Sequence, residues 1–196
     1  MIYTRYLEKV LGNKTKIAML RAFYKVPDKV WTSRGLADFI GTYNTTVLDN
    51  LGDLEEMGIL IIGSHGKVKT IKVNKDSFIF KEMVKPLFQA EKNSLDKLIK
   101  DLKAMLGPKD AKLFLVFGSI VDQKERPNSD IDLIVVTENK GKIDKIIENN
   151  QHVISNKYGN GLSFFIFSPE EFKSKQNSPF IREAKKKNII LHGEWL

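Results

Sequence analysis

The 196-residue sequence has no cysteine, only three histidines and six prolines, and no long apolar run. The missing cysteines exclude disulfides, a thiol nucleophile and every cysteine-containing zinc site. His65, His152 and His192 are far apart in the sequence, which argues against a dedicated transition-metal centre and leaves oxygen ligands and hydroxyls to carry any chemistry. Apolar runs such as Leu113 to Phe117 fall well short of the roughly 20 residues that span a bilayer. Met1 to Lys9 carries charge where a signal peptide needs an apolar core. The expectation is a cytoplasmic protein without membrane contact.

Hydrophobic residues make up 42% of the chain and charged residues 29%, enough apolar surface for packed cores and too much for a disordered chain. The formal charge of +8 points to polyanionic partners such as nucleic acid or phosphorylated ligands. The excess is spread, with 12 basic against 8 acidic residues up to Asp76 and 20 against 16 beyond it. A mildly basic soluble protein accounts for the same numbers.

The first 76 residues predict three short helices and a hairpin. Ile17, Leu20 and Phe23 share a helical face between Lys14 and Tyr24, and Pro27-Asp28 stops it. Thr32 or Ser33 caps a second helix that ends near Gly41. From Thr45, Leu48, Leu51, Leu54 and Met57 run on one face up to Gly58. Ile59 to Ile62, a turn over Gly63 to Gly66, and Lys67 to Val73 then read as two strands. This order and these lengths resemble a winged helix-turn-helix domain of the kind found in transcriptional regulators. The resemblance implies that the start of the third helix enters a DNA major groove. The exposed candidates there are Asn44, Thr45, Thr46, Asp49, Asn50 and Asp53, and the two aspartates would repel phosphate. The wing supports duplex DNA as a partner better: Lys67, Lys69, Lys72 and Lys75 stand with no acid between Leu60 and Lys75, a pattern suited to phosphate contacts. A docking or dimerisation role for the same fold is the competing reading.

Residues 77–107 predict a long amphipathic helix kinked at Pro86, with Phe80, Val84, Leu87 and Phe88, then Leu95, Leu98, Ile99 and Leu102, on its apolar face. It reads as a connector packing on both halves; a coiled coil joining two copies into a homodimer is the rival. Residues 108–196 alternate strands and helices: strands at Lys112 to Phe117, Ile131 to Val136 and Leu162 to Phe167, a helix over Gly141 to Lys157, a capping box at Ser168-Pro-Glu-Glu171, and a last helix over Asn177 to Lys187.

The chemistry sits in Gly118-Ser119, ten residues, then Asp130-Ile131-Asp132. A glycine turn after a strand lets an anionic phosphate come close to backbone N–H groups, and Ser119 adds a hydroxyl. Asp130 and Asp132, one residue apart on a strand, point to one face about 7 Å apart. They repel each other and lose hydration unless a cation compensates, so Mg²⁺ shared with substrate phosphates is the expected cofactor. A structural reading, with the acids ion-paired or capping a turn after Pro127-Asn128-Ser129, explains one aspartate better than both.

This stretch resembles the polymerase-β-like nucleotidyltransferases, and their minimal members in particular. Arg126, Pro127 and Ser129 ahead of the carboxylates and the Ile190-Leu-His-Gly193 ending fit as well. The resemblance implies a mixed sheet with packed helices following the winged domain. It also implies transfer of a nucleoside monophosphate from a nucleoside triphosphate to an acceptor hydroxyl, with Gly118 and Ser119 holding the triphosphate and Asp130 and Asp132 holding Mg²⁺. Two departures keep a second outcome open, a degenerate nucleotide-sensing regulator. Ser163 stands where the superfamily has a third carboxylate, and Ile120, Asp122 and Gln123 replace its basic and glycine residues after Gly-Ser.

Overall fold

Asn13, Thr32 and Gly41 set the helix limits of the N-terminal half by satisfying backbone groups that a helix end leaves open. The computed structural model describes residues 6–66, 68–121 and 129–196, and of Tyr6 and His65 the backbone alone. It divides into two units, residues 1–93 and 94–196.

In the first unit, helix α1 (Tyr6–Leu11) precedes α2 (Lys14–Lys25), whose N-cap Asn13 accepts bonds from the N–H groups of Thr15 and Lys16. Strand β1 (Trp31–Thr32) leads into α3 (Ser33–Ile40), capped by the Thr32 side chain and closed by Gly41 at φ +70°, where glycine avoids the Cβ penalty. Helix α4 (Asn44–Glu56) is followed by β2 (Leu60–His65) and β3 (Val68–Val73). The antiparallel sheet has the order β1-β3-β2. Met19, Leu20, Phe23, Leu36, Val47, Leu54, Ile59 and Ile71 fill the core beneath it. Three helices, a small sheet and a hairpin in this order are the winged-helix architecture expected above.

Three details differ from expectation. His65 pairs with Val68, so the hairpin turns at Gly66, with φ +60°. Gly63 and Ser64 are ladder residues opposite Thr70 and Lys69. Strand β1 and helix α1 were not foreseen; β1 is only two residues long and exists through its pairing with Ile71 and Thr70. The predicted continuous connector is interrupted. A π-helical turn (Phe80–Val84) runs into α5 (Lys85–Lys92), and α6 (Ser94–Met105) begins beyond Asn93. Ile79, Phe80, Val84 and Phe88 belong to the first core, and Leu98, Leu102 and Leu106 to the second. Pro86 explains the widened turn: it brings no N–H and its ring crowds the carbonyl four residues back.

The second unit is a four-stranded sheet, order β6-β5-β4-β7, from β4 (Leu113–Phe117), β5 (Ile131–Val136), β6 (Leu162–Phe167) and β7 (Asn188–Gly193). β4 is antiparallel to β5 and β7, and β5 is parallel to β6, a pairing joined through α7 (Lys140–Tyr158). Alternation sends Ile131, Leu133 and Val135 to the face covered by α6 and α7. It sends Ile134 and Val136 to the face covered by α8 (Pro169–Ser174) and α9 (Pro179–Lys186). Ser168 and Glu171 form the expected capping box. Gly193, at φ +75°, lies so close to the Lys112 carbonyl that any Cβ would overlap it, which gives the C-terminal glycine a packing reason.

Lys16 is buried in the first unit, and its ammonium bonds to the Lys9 carbonyl and to the Asp53 carboxylate. The Lys16 hydrogen bond and charge hold the Asp53 carboxyl below the usual carboxylate range. A depressed carboxyl stabilises the fold above about pH 4 and loses that contribution as pH falls through its folded value. Asp53→Asn is expected to destabilise the N-terminal domain by about 1 kcal/mol at pH 7, a buried-pair loss reduced because Asp53 is half exposed. The difference from the parent should shrink below about pH 4, as urea titrations at pH 7 and pH 3 would measure.

Candidate nucleotide and metal site, and the exposed face of the winged helix

The sheet brings the predicted residues of the second unit to one end. Gly118 follows β4 at φ +81°, and the turn is tied by the Val121 N–H donating to the Gly118 carbonyl at 3.1 Å. Ser119 beside it is half-buried. Asp132 lies opposite Phe117 on β4 and opposite Ser163 on β6. Its carboxylate rests against Gly118: a Cβ there would meet Asp132 Oδ2 at 2.6 Å. Asp130, exposed just before β5, rests in the same way against Gly161, where its Oδ1 occupies the space of a Cβ. The Gly161 carbonyl accepts from the Ile131 N–H at 2.9 Å, and Asn160 donates to the Ser129 carbonyl at 2.9 Å. These bonds fix the strand start that carries Asp130.

Burial raises the Asp132 carboxyl above the usual carboxylate range, and the charge of Asp130 raises it further. The two acids therefore share a face and repel. Among the described residues neither takes part in an ion pair. A carboxylate pair cradled on glycines and lacking a described counter-cation is chemically suited to a hard divalent ion with oxygen ligands.

Among the described residues no group of three His, Cys, Asp or Glu side chains is placed to hold a metal. Ser163 is the neighbour of Asp132 on β6. Glu170 and Glu171 follow Phe167, four residues further along the strand, roughly 13 Å away at strand rise. Glu171 is engaged there by Lys140 at 2.5 Å and by the Ser168 N–H at 2.7 Å. The ring of Phe117, whose backbone lies opposite Asp132, meets those of Phe165 and Phe180 in a cluster with centroid distances of 4.7 to 5.8 Å. Gly161 and this aromatic cluster were not singled out in the sequence. Asp122, Gln123, Arg126 and Pro127 lie outside the described residues.

In the first unit Thr45 is exposed and Thr46 half-buried at the start of α4. Asn50 is turned inward, 8% exposed, with its side-chain amide donating to the Thr46 carbonyl at 2.8 Å; helical spacing puts it with Val47, Leu51 and Leu54 on the core side. It is therefore removed from the groove-facing set. Tyr43, 82% exposed as N-cap of α4, joins that surface instead. Asn44 is half-buried, and Asp49 remains exposed, while Asp53 is offset by Lys16. On the wing, Lys69 and Lys72 are exposed on opposite faces of β3, three residues apart, and Lys75 bridges to Asp28. Lys67 lies outside the described residues.

Residues 100–193 match the family model described as Polymerase beta, Nucleotidyltransferase. The C-terminal unit has the polymerase-β nucleotidyltransferase fold. The match spans a little under half of the chain. No curated protein matches the chain. Solved structures similar to it include the AntR antimony-specific transcriptional repressor, with 20% identity, 46% of this chain and 78% of that chain covered and a TM-score of 0.40. MepR, a transcription regulator of the Staphylococcus aureus multidrug efflux pump MepA, has 17% identity, 47% and 70% coverage and a TM-score of 0.38. NolR from Sinorhizobium fredii has 14% identity, 43% and 78% coverage and a TM-score of 0.36. Among the described residues no helix is long and apolar enough to cross a membrane.

Removing one of two repelling charges relieves the site. Asp132→Asn is expected to raise the melting temperature of the nucleotidyltransferase domain in chelator-containing buffer at pH 7 by about 2 °C, whereas Gly118→Ala should lower its stability by about 1–3 kcal/mol through the positive φ and the Asp132 contact. Calorimetric melting of both variants checks the pair of opposite signs.

Proposed function

We propose that this protein is a Mg²⁺-dependent nucleotidyltransferase that moves a nucleoside monophosphate from a nucleoside triphosphate to an acceptor hydroxyl, and that its winged helix binds duplex DNA. The single observation that carries the reading is the carboxylate pair of Asp130 and Asp132 on the Gly118 and Gly161 cradles, with mutual repulsion and no described counter-charge. Asp130 and Asp132 would hold the ion. Bound there, magnesium supplies charge neutralisation for the phosphates and Lewis-acid polarisation of the α-phosphorus. Gly118 brings no side chain between the turn and the Asp132 carboxylate, and Ser119 beside it would offer a hydroxyl donor to the phosphate chain. In the transfer the acceptor hydroxyl releases its proton to solvent as its oxygen bonds to the α-phosphorus, the bond from that phosphorus to the oxygen bridging to the β-phosphorus breaks, and pyrophosphate leaves with the bridging oxygen.

Ser163 beside Asp132 favours a second reading, a degenerate domain that senses nucleotide and reports it to DNA. A neutral hydroxyl neither balances a second cation nor readily accepts the acceptor's proton. Titration calorimetry with Mg²⁺ and a nonhydrolysable triphosphate, followed by incubation with α-labelled nucleotides, separates the two. Binding with label transfer supports the transferase; binding without transfer supports the sensor. Asp130→Ala and Asp132→Ala with unchanged affinity would defeat both.

For DNA, the supporting features are exposed Tyr43 and Thr45 at the start of α4, exposed Lys69 and Lys72 on the wing, and the offset of Asp53 by Lys16. Lys69→Glu with Lys72→Glu is expected to weaken duplex binding across sequences and to lower the slope of log affinity against log salt by about 2. Mobility shifts over a salt series measure it.

A further inference from the structure

The two edges of the C-terminal sheet are built differently. Strand β7 closes one side with features that protect an edge: its pairing to β4 shifts register between Phe114 and Leu115, it ends at Gly193 with φ +75°, and Lys185, Lys186 and Lys187 lead into it. Strand β6 closes the other side with none of them. Leu162-Ser-Phe-Phe-Ile-Phe167 holds no charge, proline or glycine, and its register against β5 runs unbroken from Leu162 to Phe167. Every residue of β6 keeps some solvent contact although all but Ser163 are large and apolar, whereas β4 is buried throughout.

The ladder shows which backbone groups β6 leaves over. The Ile131 N–H donates to the Gly161 carbonyl and the Thr137 N–H to the Phe167 carbonyl, so Ser163, Phe165 and Phe167 turn their backbone groups to β5, and Leu162, Phe164 and Ile166 turn theirs outward. Among the described residues no strand and no backbone hydrogen bond meets that outer side. Such a row of donors and acceptors is a template for another strand. Charge selects its direction. Helix α7 brings Lys157 to the N-terminal end of β6, and α8 brings Glu170 and Glu171 to the C-terminal end. Lys157 and Glu171 also hold Asp101 and Lys140, while Glu170 enters no ion pair among the described residues. A second β6 running antiparallel sets the basic end of each copy beside the acidic end of the other; a parallel copy sets like beside like.

We propose that the outer edge of β6 is a self-association surface, at which a second copy of this chain pairs antiparallel about Phe164 and joins two four-stranded sheets into one. In that register Phe164 lies opposite its counterpart and Leu162 opposite Ile166, so all three outward residues become pairs that exchange two hydrogen bonds each under one twofold axis. A six-residue strand is a small part of the roughly 20–30 residues a side in a standard interface, so the dimer is weak, with a dissociation constant on the order of 10–100 µM.

Amide hydrogen exchange of the full chain, free of nucleotide and metal, tests the pairing at about 5 µM and about 500 µM. Exchange at Leu162, Phe164 and Ile166 should slow by about three- to sevenfold at the higher concentration, as mass action over that range of affinity requires. Ser163, Phe165 and Phe167, already facing β5, should be protected at both. In sedimentation, Leu162→Pro removes an outward N–H at the first strand position, where proline is tolerated, and should weaken the dimer by about tenfold. Phe164→Lys and Phe164→Glu should each stay monomeric, because like charges then face across the axis, and their equimolar mixture should associate. The proposal is overturned if the three outward amides exchange alike at both concentrations, if protection rises at residues 77–107 instead, which marks the connector as the contact, or if Leu162→Pro associates as the parent does.

Discussion

Like charges on neighbouring positions of one strand face impose the strictest demand in the C-terminal domain. Asp130 and Asp132 are held where each carboxylate lies against a glycine, Gly161 or Gly118; the Gly118 carbonyl is tied in its turn by the Val121 N–H, and the Gly161 carbonyl accepts from the Ile131 N–H. Buried side chains of β4 and β5 leave those strands little room to move apart. The other strand positions on that face, Ile134 and Val136, are apolar core, which confines the polar chemistry to the end where β4 turns at Gly118.

The N-terminal domain solves a related problem in the opposite way. Lys16, taken out of water by the α2 packing, has its ammonium met by the Asp53 carboxylate and the Lys9 carbonyl. That pairing also alters the outer face of α4, since one of its two aspartates no longer presents a free charge. Asn50 spends its amide on the Thr46 carbonyl within its own helix. The face left for a partner is narrower than α4's polar residues imply, and it is led by Tyr43 and Thr45.

Much of this was legible in the sequence where local pattern and global packing agree. Strands β5 and β6 stand at their predicted limits because apolar runs, broken only by Asp132 and Ser163, are bounded by acids, glycine and a capping serine. Helix α3 matches because Thr32 and Gly41 act within four residues of the ends they cap. The acids and Gly118 were read from spacing alone. What escaped depends on distant partners. Strand β1 is defined by β3, nearly forty residues on, and Gly161 matters because of Asp130, thirty-one positions earlier. Gly63 mimicked a turn but sits across from Thr70, where a glycine is tolerated in the ladder. The break at Asn93 was hidden because apolar spacing continues through it, although the two stretches serve different cores. Asn50 could have been found: it shares the period of Val47, Leu51 and Leu54.

The contact between each acid and its glycine carries an implication for how this domain tolerates change. A side chain added at Gly118 or Gly161 must displace a carboxylate, and a shorter or absent carboxylate frees the room that the addition needs. Substitutions at the two members of such a pair are therefore non-additive: a double replacement is milder than its parts suggest. At Gly161 removing the acid first makes room for a side chain, whereas at Gly118 the positive φ still disfavours one after Asp132 is gone. Of the two glycines, only Gly161 thus owes its place wholly to its acid.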